Sequence, residues 1–393
     1  VDQTGANDAL VGHGRRPASA GRRDRPARRR PLQGAVLGSQ ERASQRQRHL
    51  QGGRAQPEAR LLVGLAEHAR ARIAGDDRAQ PGHRGHHADA DPRAVLRREG
   101  ARRPRPRLER RPRPPGELPH MTPGQAVDRA FAGLPGDPAS LAGVVQGLLM
   151  HEHIAPAYGL TLSEAQHAEA HTRPVEEIVR QIVAHDPRPL AEPRAPGERQ
   201  VGNCRHFTLL HVTMLRRAGV RARARCGFGG YFEPGKFLDH WVTEYWNERR
   251  QAWVLVDAQL DARQRELFKI AFDPLDVPRD KFLVAGDAWQ RCRAGTADPN
   301  AFGILDMHGL WFVAGNLIRD VAALNDHVML PWDVWGAMTQ NDAELDQPFL
   351  DKLAALTVEP DRHFGELRAV YQDPRVKVPA TVFNAIRNRP ETL

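Results

Sequence analysis

Large apolar side chains are missing from the first third of this chain. Positions 1–120 of its 393 residues hold no Phe, Trp, Tyr, Met, Cys or Lys, and a single Ile, Ile73. All 24 aromatic residues come later. A segment with so little apolar surface cannot offset its ordering entropy, so no folded domain is expected there. The same positions carry 27 Arg against 13 Asp and Glu, a net of +14, whereas the remainder nets −5. The formal charge of +9 therefore misdescribes the part able to fold, and a nucleic-acid reading built on it fails for residues 121–393. Two readings of residues 1–120 stay open. One is a basic disordered arm that holds nucleic acid or an acidic partner. The other, which the composition favours, is a mis-called start. Arg, Ala, Pro and Gly are what a GC-rich stretch yields in the wrong frame, and the first Met is Met121, where composition turns ordinary. Nucleic acid is a partner only if residues 1–120 are real.

Cysteine is scarce as well. Cys204, Cys226 and Cys292 are too few for a disulfide framework, and no Cys-x-x-Cys pair suggests structural zinc. No apolar run approaches the roughly 18 residues of a membrane helix, so no membrane partner is expected. Neither Val1 nor Met121 opens a signal-peptide pattern. A reducing cytoplasm is the default expectation, and it suits a free thiol. His151 and His153 are two residues apart, whereas a helical zinc pair needs a spacing of four on one face. No metal or other cofactor is expected.

What is present from residue 121 onward reads as mixed α and β. Apolar residues at Leu141, Val144, Val145, Leu148 and Leu149 predict a helix over 139–154, and Val175, Ile178, Val179 and Ile182 predict another over 174–185. Four prolines over 186–197 mark a linker. Phe207, Leu210 and Met214 predict a helix over 204–215, ended by Gly219. Alternation follows, with Ala222, Ala224, Cys226 and Phe228 on one face and Arg221, Arg223 and Arg225 on the other. Residues 237–246 and 252–257 predict two more strands joined as a hairpin. After Asp261 the reading is helical again, over 287–294, 310–324 and 345–356. The aromatics of 308–312 and 331–336 are expected either to line or lid a cleft or to form core.

One arrangement carries chemistry. Cys204 opens a helix, where unpaired N–H groups and the helix dipole favour a thiolate. His240 lies near the head of one strand and Asp257 ends the next. A His can take the thiol proton and return it to a leaving group, and an Asp on the far ring nitrogen fixes the tautomer. The Cys204 N–H would be one oxyanion donor. A second must come from upstream, with Gln200 as the candidate. Cys226 and Cys292 read as packing residues. His206 and His211 read as helix histidines with satisfied bonds, Trp241 and Tyr245 as packing against the helix, and the three arginines as solvated or paired with the acidic C-terminal lobe.

Gly202-x-Cys204, Leu215-Arg216-Arg217-Ala218-Gly219-Val220, His240-Trp241-Val242-x-Glu244 and Trp253-x-x-x-Asp257 resemble the transglutaminase-like superfamily, a papain-like thiol fold, over roughly residues 200–261. More narrowly, residues from about 122 onward resemble bacterial transglutaminase-like domain proteins. The resemblance implies an α+β fold, in which a helix bearing the cysteine packs on an antiparallel sheet. It assigns Cys204 as nucleophile, His240 as base and acid, and Asp257 as orienter. Two positions depart from the family pattern: His206 stands where an acid is common, and Ala258 where Pro is common. The expected domains are the extension 1–120, a helical lobe and linker 121–199, the core 200–261 and a helical C-terminal lobe 262–393. The expected activity is acyl-thioester formation at Cys204 from a peptide or small amide, resolved by water or passed to an amine. The competitor is a non-catalytic binding module that keeps the fold. Substrate identity and oligomeric state are not set by these motifs.

Overall fold

The computed structural model of the chain describes residues 125–393, with side chains from Val127; the Arg-rich extension expected over 1–120 lies outside these residues. Helices α1 (Gln125–Ala130) and α2 (Pro138–Leu148) come first. Strand β1 (Leu149–His151), helices α3 (Glu164–Glu169) and α4 (Val175–His185), and strand β2 (Gln200–Gly202) follow. Next come α5 (Cys204–Arg217), β3 (Ala222–Gly229), β4 (Phe237–Asn247) and β5 (Ala252–Val256). After these lie α6 (Ala262–Leu267), β6 (Phe282–Val284), α7 (Ala285–Arg293), β7 (Phe302–Ile304), β8 (Met307–His308) and α8 (Leu310–Leu324). Strand β9 (Asp333–Val334), helices α9 (Gln347–Val358) and α10 (Phe364–Val370), and strands β10 (Thr381–Asn384) and β11 (Arg389–Thr392) end the chain. The fold is α+β, as the sequence leads one to expect.

The main sheet runs β6-β3-β4-β7-β8, with β5 on the β7 side of β4. Strand β4 is its spine. It pairs antiparallel with all of β3, and its far half pairs with β5 from Thr243↔Val256 to Asn247↔Ala252. Its near end, Phe237 and Leu238, pairs parallel with β7. Both faces are covered. One core joins α2, α4 and α5 to Ala222, Ala224, Cys226 and Trp241. A second joins α7, α8 and α9 to Phe228 and Phe302. Of the aromatic segments 308–312 and 331–336, read as core or cleft lining, Phe312 and Trp335 lie in the second cluster and Trp311 packs partly buried against it.

Two expectations are corrected, and a third is divided between its two readings. The helix read over 139–154 ends at Leu148, and Leu149–His151 becomes a strand paired parallel with Gln200–Gly202. A short apolar run buried on all sides has no period to distinguish helix from strand, so tertiary pairing decided. The C-terminal part is not purely helical. Short strands β6, β7 and β8 extend the main sheet, and β9, β10 and β11 form their own. At two to four residues they are too brief to show alternation. The arginine face of β3 is also not uniformly solvated. Only Arg221 stays exposed, against Glu248, while Arg225 is buried on Asp320 of α8 and on Glu244. The expected pairing with the C-terminal lobe occurs there.

Buried histidines tie the helix layer to the sheet. His211 Nδ1 lies 3.1 Å from Thr243 Oγ1, and Nε2 lies 3.1 Å from Pro138 O. The carbonyl can only accept, so Nε2 carries the proton and Nδ1 accepts from the threonine hydroxyl. Burial lowers its pKa to about 4, with the Pro138 bond opposing. Burial likewise holds His206 well below its ordinary range. The unfolded chain takes up these protons below about pH 6.5 and the folded chain does not, so stability is full above that pH and falls as the solution is acidified. Each histidine is expected to cost about 1 kcal/mol per pH unit below about pH 6.5. A urea midpoint that drops between pH 7 and 5, and drops less in His211→Gln, is the expected result. Identical midpoints at the two pH values would remove these histidines from the account.

Candidate active site

The site grows from the start of α5. Asn203 is the N-cap, and its Oδ1 accepts from Arg205 N at 3.2 Å. His206 completes a capping box: its Nδ1 accepts from Asn203 N at 3.2 Å while Nε2 donates to Thr172 O at 2.9 Å. A neutral imidazole thus does the work usually given to Glu at this helix position. This is the physical answer to the missing acid two residues after Cys204: the ring nitrogen replaces the carboxylate as acceptor. Gly202 is small for a related reason. A Cβ there would lie 2.7 Å from His206 Cγ, so the ring fits only over a glycine. Close approach of the ring is what Gly202 provides.

The cap leaves Cys204 at the first helical position with its backbone N–H ahead of the intrahelical bonds. Cys204 packs in the same core cluster as Trp241, the residue after His240. Burial pushes the thiol pKa well up, and Asp239 and Asp257 add to this, while the Trp241 and Arg205 N–H groups oppose it. At rest the group is therefore a neutral thiol.

His240 and Asp257 meet through the hairpin register. Thr243 faces Val256, so Asp257 falls opposite Val242 and His240 stands diagonally across from it. The side chains close that diagonal: His240 Nε2 lies 2.8 Å from Asp257 Oδ2. Asp257 is fixed from three further directions. Its Oδ2 accepts from Tyr231 Oη at 2.7 Å, its Oδ1 accepts from Gln259 N at 3.1 Å, and its own N–H donates to Pro274 O at 2.8 Å. The last bond goes to Pro274, in the segment 272–278 between α6 and β6, which thereby anchors the strand end. Ala258, standing where the family often has Pro, is buried and breaks none of these bonds.

With Nε2 held by the carboxylate, Nδ1 is the ring nitrogen left for a proton from sulfur. Aromatic rings enclose the imidazole: Phe232 at 4.8 Å, Tyr231 at 5.9 Å and Phe282 at 6.3 Å, all edge-on. Phe232 in turn packs on Phe268 at 5.0 Å. The cover over the histidine thus comes from the β3–β4 loop and β6, and from neither Trp-rich segment. Cys204 is only 6% exposed and His240 2%, so an extended substrate needs this cover to move.

Other singled-out residues fall elsewhere. The Gln200 amide donates to Gln181 Oε1 at 2.9 Å, which turns its side chain toward α4. Trp241 packs in the first core beside Cys204. Cys226 is sealed on β3, and Cys292 lies on α7 against the second core. Two residues at the site were not singled out for it. Tyr231 sits in Gly229-Gly230-Tyr231-Phe232, and paired aromatics after two glycines at a strand end are the signal that marks it. Asp239, beside His240, accepts from Asn316 Nδ2 at 2.8 Å and has no sequence signal apart from its position.

Residues 162–258 match the family model described as the transglutaminase-like superfamily. That span contains Cys204, His240 and Asp257, and it begins upstream of the core read from residue 200, taking in α3, α4 and β2. No match was found among curated proteins or solved structures. No helix of the described residues is long and apolar enough to cross a membrane. A papain-like order of residues, a capped cysteine helix on an antiparallel sheet and the family match lead to one statement: the chain carries a transglutaminase-like domain, of a superfamily built around cysteine chemistry.

Proposed function

We propose that this protein is a cysteine acyl-transfer enzyme that acts on a peptide or carboxamide. His240 Nδ1 takes the proton of Cys204, and the sulfur attacks the carbonyl carbon. The tetrahedral intermediate collapses, the imidazolium protonates the departing amine, and an acyl-thioester remains on Cys204. Water then attacks, giving its proton to His240, and the acid leaves as the thiol reforms. An amine in place of water would give transfer instead of hydrolysis. Hydrolysis is the preferred outcome, because no surface that recruits a second protein substrate is recognised in the sequence. Asp257 holds the ring with Nδ1 toward the sulfur and supports the imidazolium. The single observation that carries the reading is the 2.8 Å bond from His240 Nε2 to Asp257, with Cys204 packed in one core with Trp241, the next residue of the same strand.

The burial of Cys204 favours a second reading, a binding module that keeps the fold without the chemistry. Iodoacetamide labelling at neutral pH separates the two. Labelling of Cys204 is expected to depend on His240 and to fall in His240→Ala, and Cys204→Ala to abolish every acyl-transfer activity found. Labelling that is the same with and without His240, with activity indifferent to Cys204→Ala, would establish the module.

A further inference from the structure

One imidazole beside the site is unused by this chemistry. His151 ends β1, and β1 lies parallel to β2 with His151 in register with Gly202, two residues before Cys204. The bond from Glu152 N to Gly202 O, 2.8 Å, fixes the end of that pairing. Neighbouring strands stand roughly 4.8 Å apart, so the His151 backbone runs one strand's width from the lead-in to the nucleophile. His153 N donates to His151 Nδ1 at 3.2 Å. A nitrogen that accepts carries no proton, so the neutral ring bears its hydrogen on Nε2. Among the described residues no group hydrogen-bonds this Nε2. His151 keeps 9% exposure, more than Cys204 or His240.

The ring is held neutral. Burial lowers its pKa to about 3, with the nearby His240 lowering it further and Asp257 opposing. A neutral N–H donor whose other nitrogen is locked to backbone does not compete with His240 for the thiol proton. It is suited instead to an oxygen on which charge develops.

We propose that the Nε2–H of His151 is the second oxyanion donor, acting with the backbone N–H of Cys204 on the tetrahedral intermediate. This rests on the acyl-thioester reading above. The two can be separated by reacting one thiol with two reagents. Iodoacetamide alkylates Cys204 by displacement at a saturated carbon, which creates no oxyanion. p-Nitrophenyl acetate acylates it through a tetrahedral intermediate, releasing p-nitrophenolate.

In His151→Ala, acylation is expected to fall about 100-fold while alkylation stays within about two-fold, in the range for loss of one oxyanion donor. His151→Gln, which restores an N–H donor, is expected to recover at least ten-fold of that loss and controls for folding. Equal acylation in wild type and His151→Ala would overturn the proposal and leave the nucleophile standing. Acylation and alkylation falling together would also overturn it, since His151 would then act on the thiolate. A wild-type Cys204 inert to both reagents would remove the nucleophile and the donor together.

Discussion

Asp257→Asn is expected to lower the acylation rate of Cys204 by about 10³- to 10⁴-fold with the fold intact, comparable with the loss on amidating the aspartate of a serine-protease triad. The reason is tautomeric. Asp257 Oδ2 accepts from His240 Nε2 and from Tyr231 Oη, and an asparagine can offer one oxygen to only part of this set. The backbone bond from Gln259 N holds the amide oxygen at the Oδ1 position, which places the NH2 at the Oδ2 position, toward the imidazole and the Tyr231 hydroxyl, and the hydroxyl can turn to accept. His240 Nε2 must then accept, its proton moves to Nδ1, and the nitrogen assigned to the thiol proton can no longer take it. p-Nitrophenyl acetate acylation of the variant, with its urea midpoint as a check on folding, measures the effect. A rate within about ten-fold of wild type, in a folded variant, would mean that the carboxylate is structural only.

The largest expected effect on stability lies farther along the sheet, at Arg225 and Asp320. Arg225 and Asp320 are both at most 1% exposed, and they pair twice: Nε to Oδ1 at 3.1 Å and Nη2 to Oδ2 at 2.9 Å. Asp320 Oδ1 also accepts from Cys226 N at 2.9 Å, so the carboxylate joins α8 to the backbone of β3. Glu244 adds a second carboxylate, shared with Arg223 and Arg279. Asp320→Ala would leave a buried guanidinium with one acid for two and a backbone donor with none, at an expected cost of about 3–5 kcal/mol. The exposed pair Arg221 and Glu248 is the control, since Glu248→Ala should change stability by less than about 0.5 kcal/mol. Urea titrations of both variants provide the comparison. A loss of less than about 1 kcal/mol in Asp320→Ala would show that the packed helix, and not the ion pair, holds this face.

These two sites share strand β4. Its alternation sends Trp241 and Thr243 toward α5, and it sends Val242 and Glu244 to the other side. The residue that accepts the thiol proton in the proposed reaction therefore belongs to the same strand as the acid that neutralises Arg225. Packing on both faces makes the sheet rigid, and rigidity is what a bond such as that from His240 to Asp257 requires. The moving part is expected in the β3–β4 loop, where Phe232 meets His240 and Phe268.

The residue order by itself determined the α+β class, helix α5 and strands β3, β4 and β5, because long periodic segments bury a face whatever surrounds them. It also singled out Cys204, His240 and Asp257, since their spacing along a helix, a strand and a hairpin restricts where they can meet. Tertiary contact alone decided the rest. Leu149–His151 became a strand because Gln200–Gly202 was there to pair with it, and the two-residue strands have no period of their own to read. Arg225 looks like a solvated charge until α8 brings Asp320 to it. Tyr231, Asp239 and His151 acquire a place at the site only when separate segments close on the start of α5. Side chains that act through partners distant in sequence have no local pattern, and only the folded chain supplies those partners.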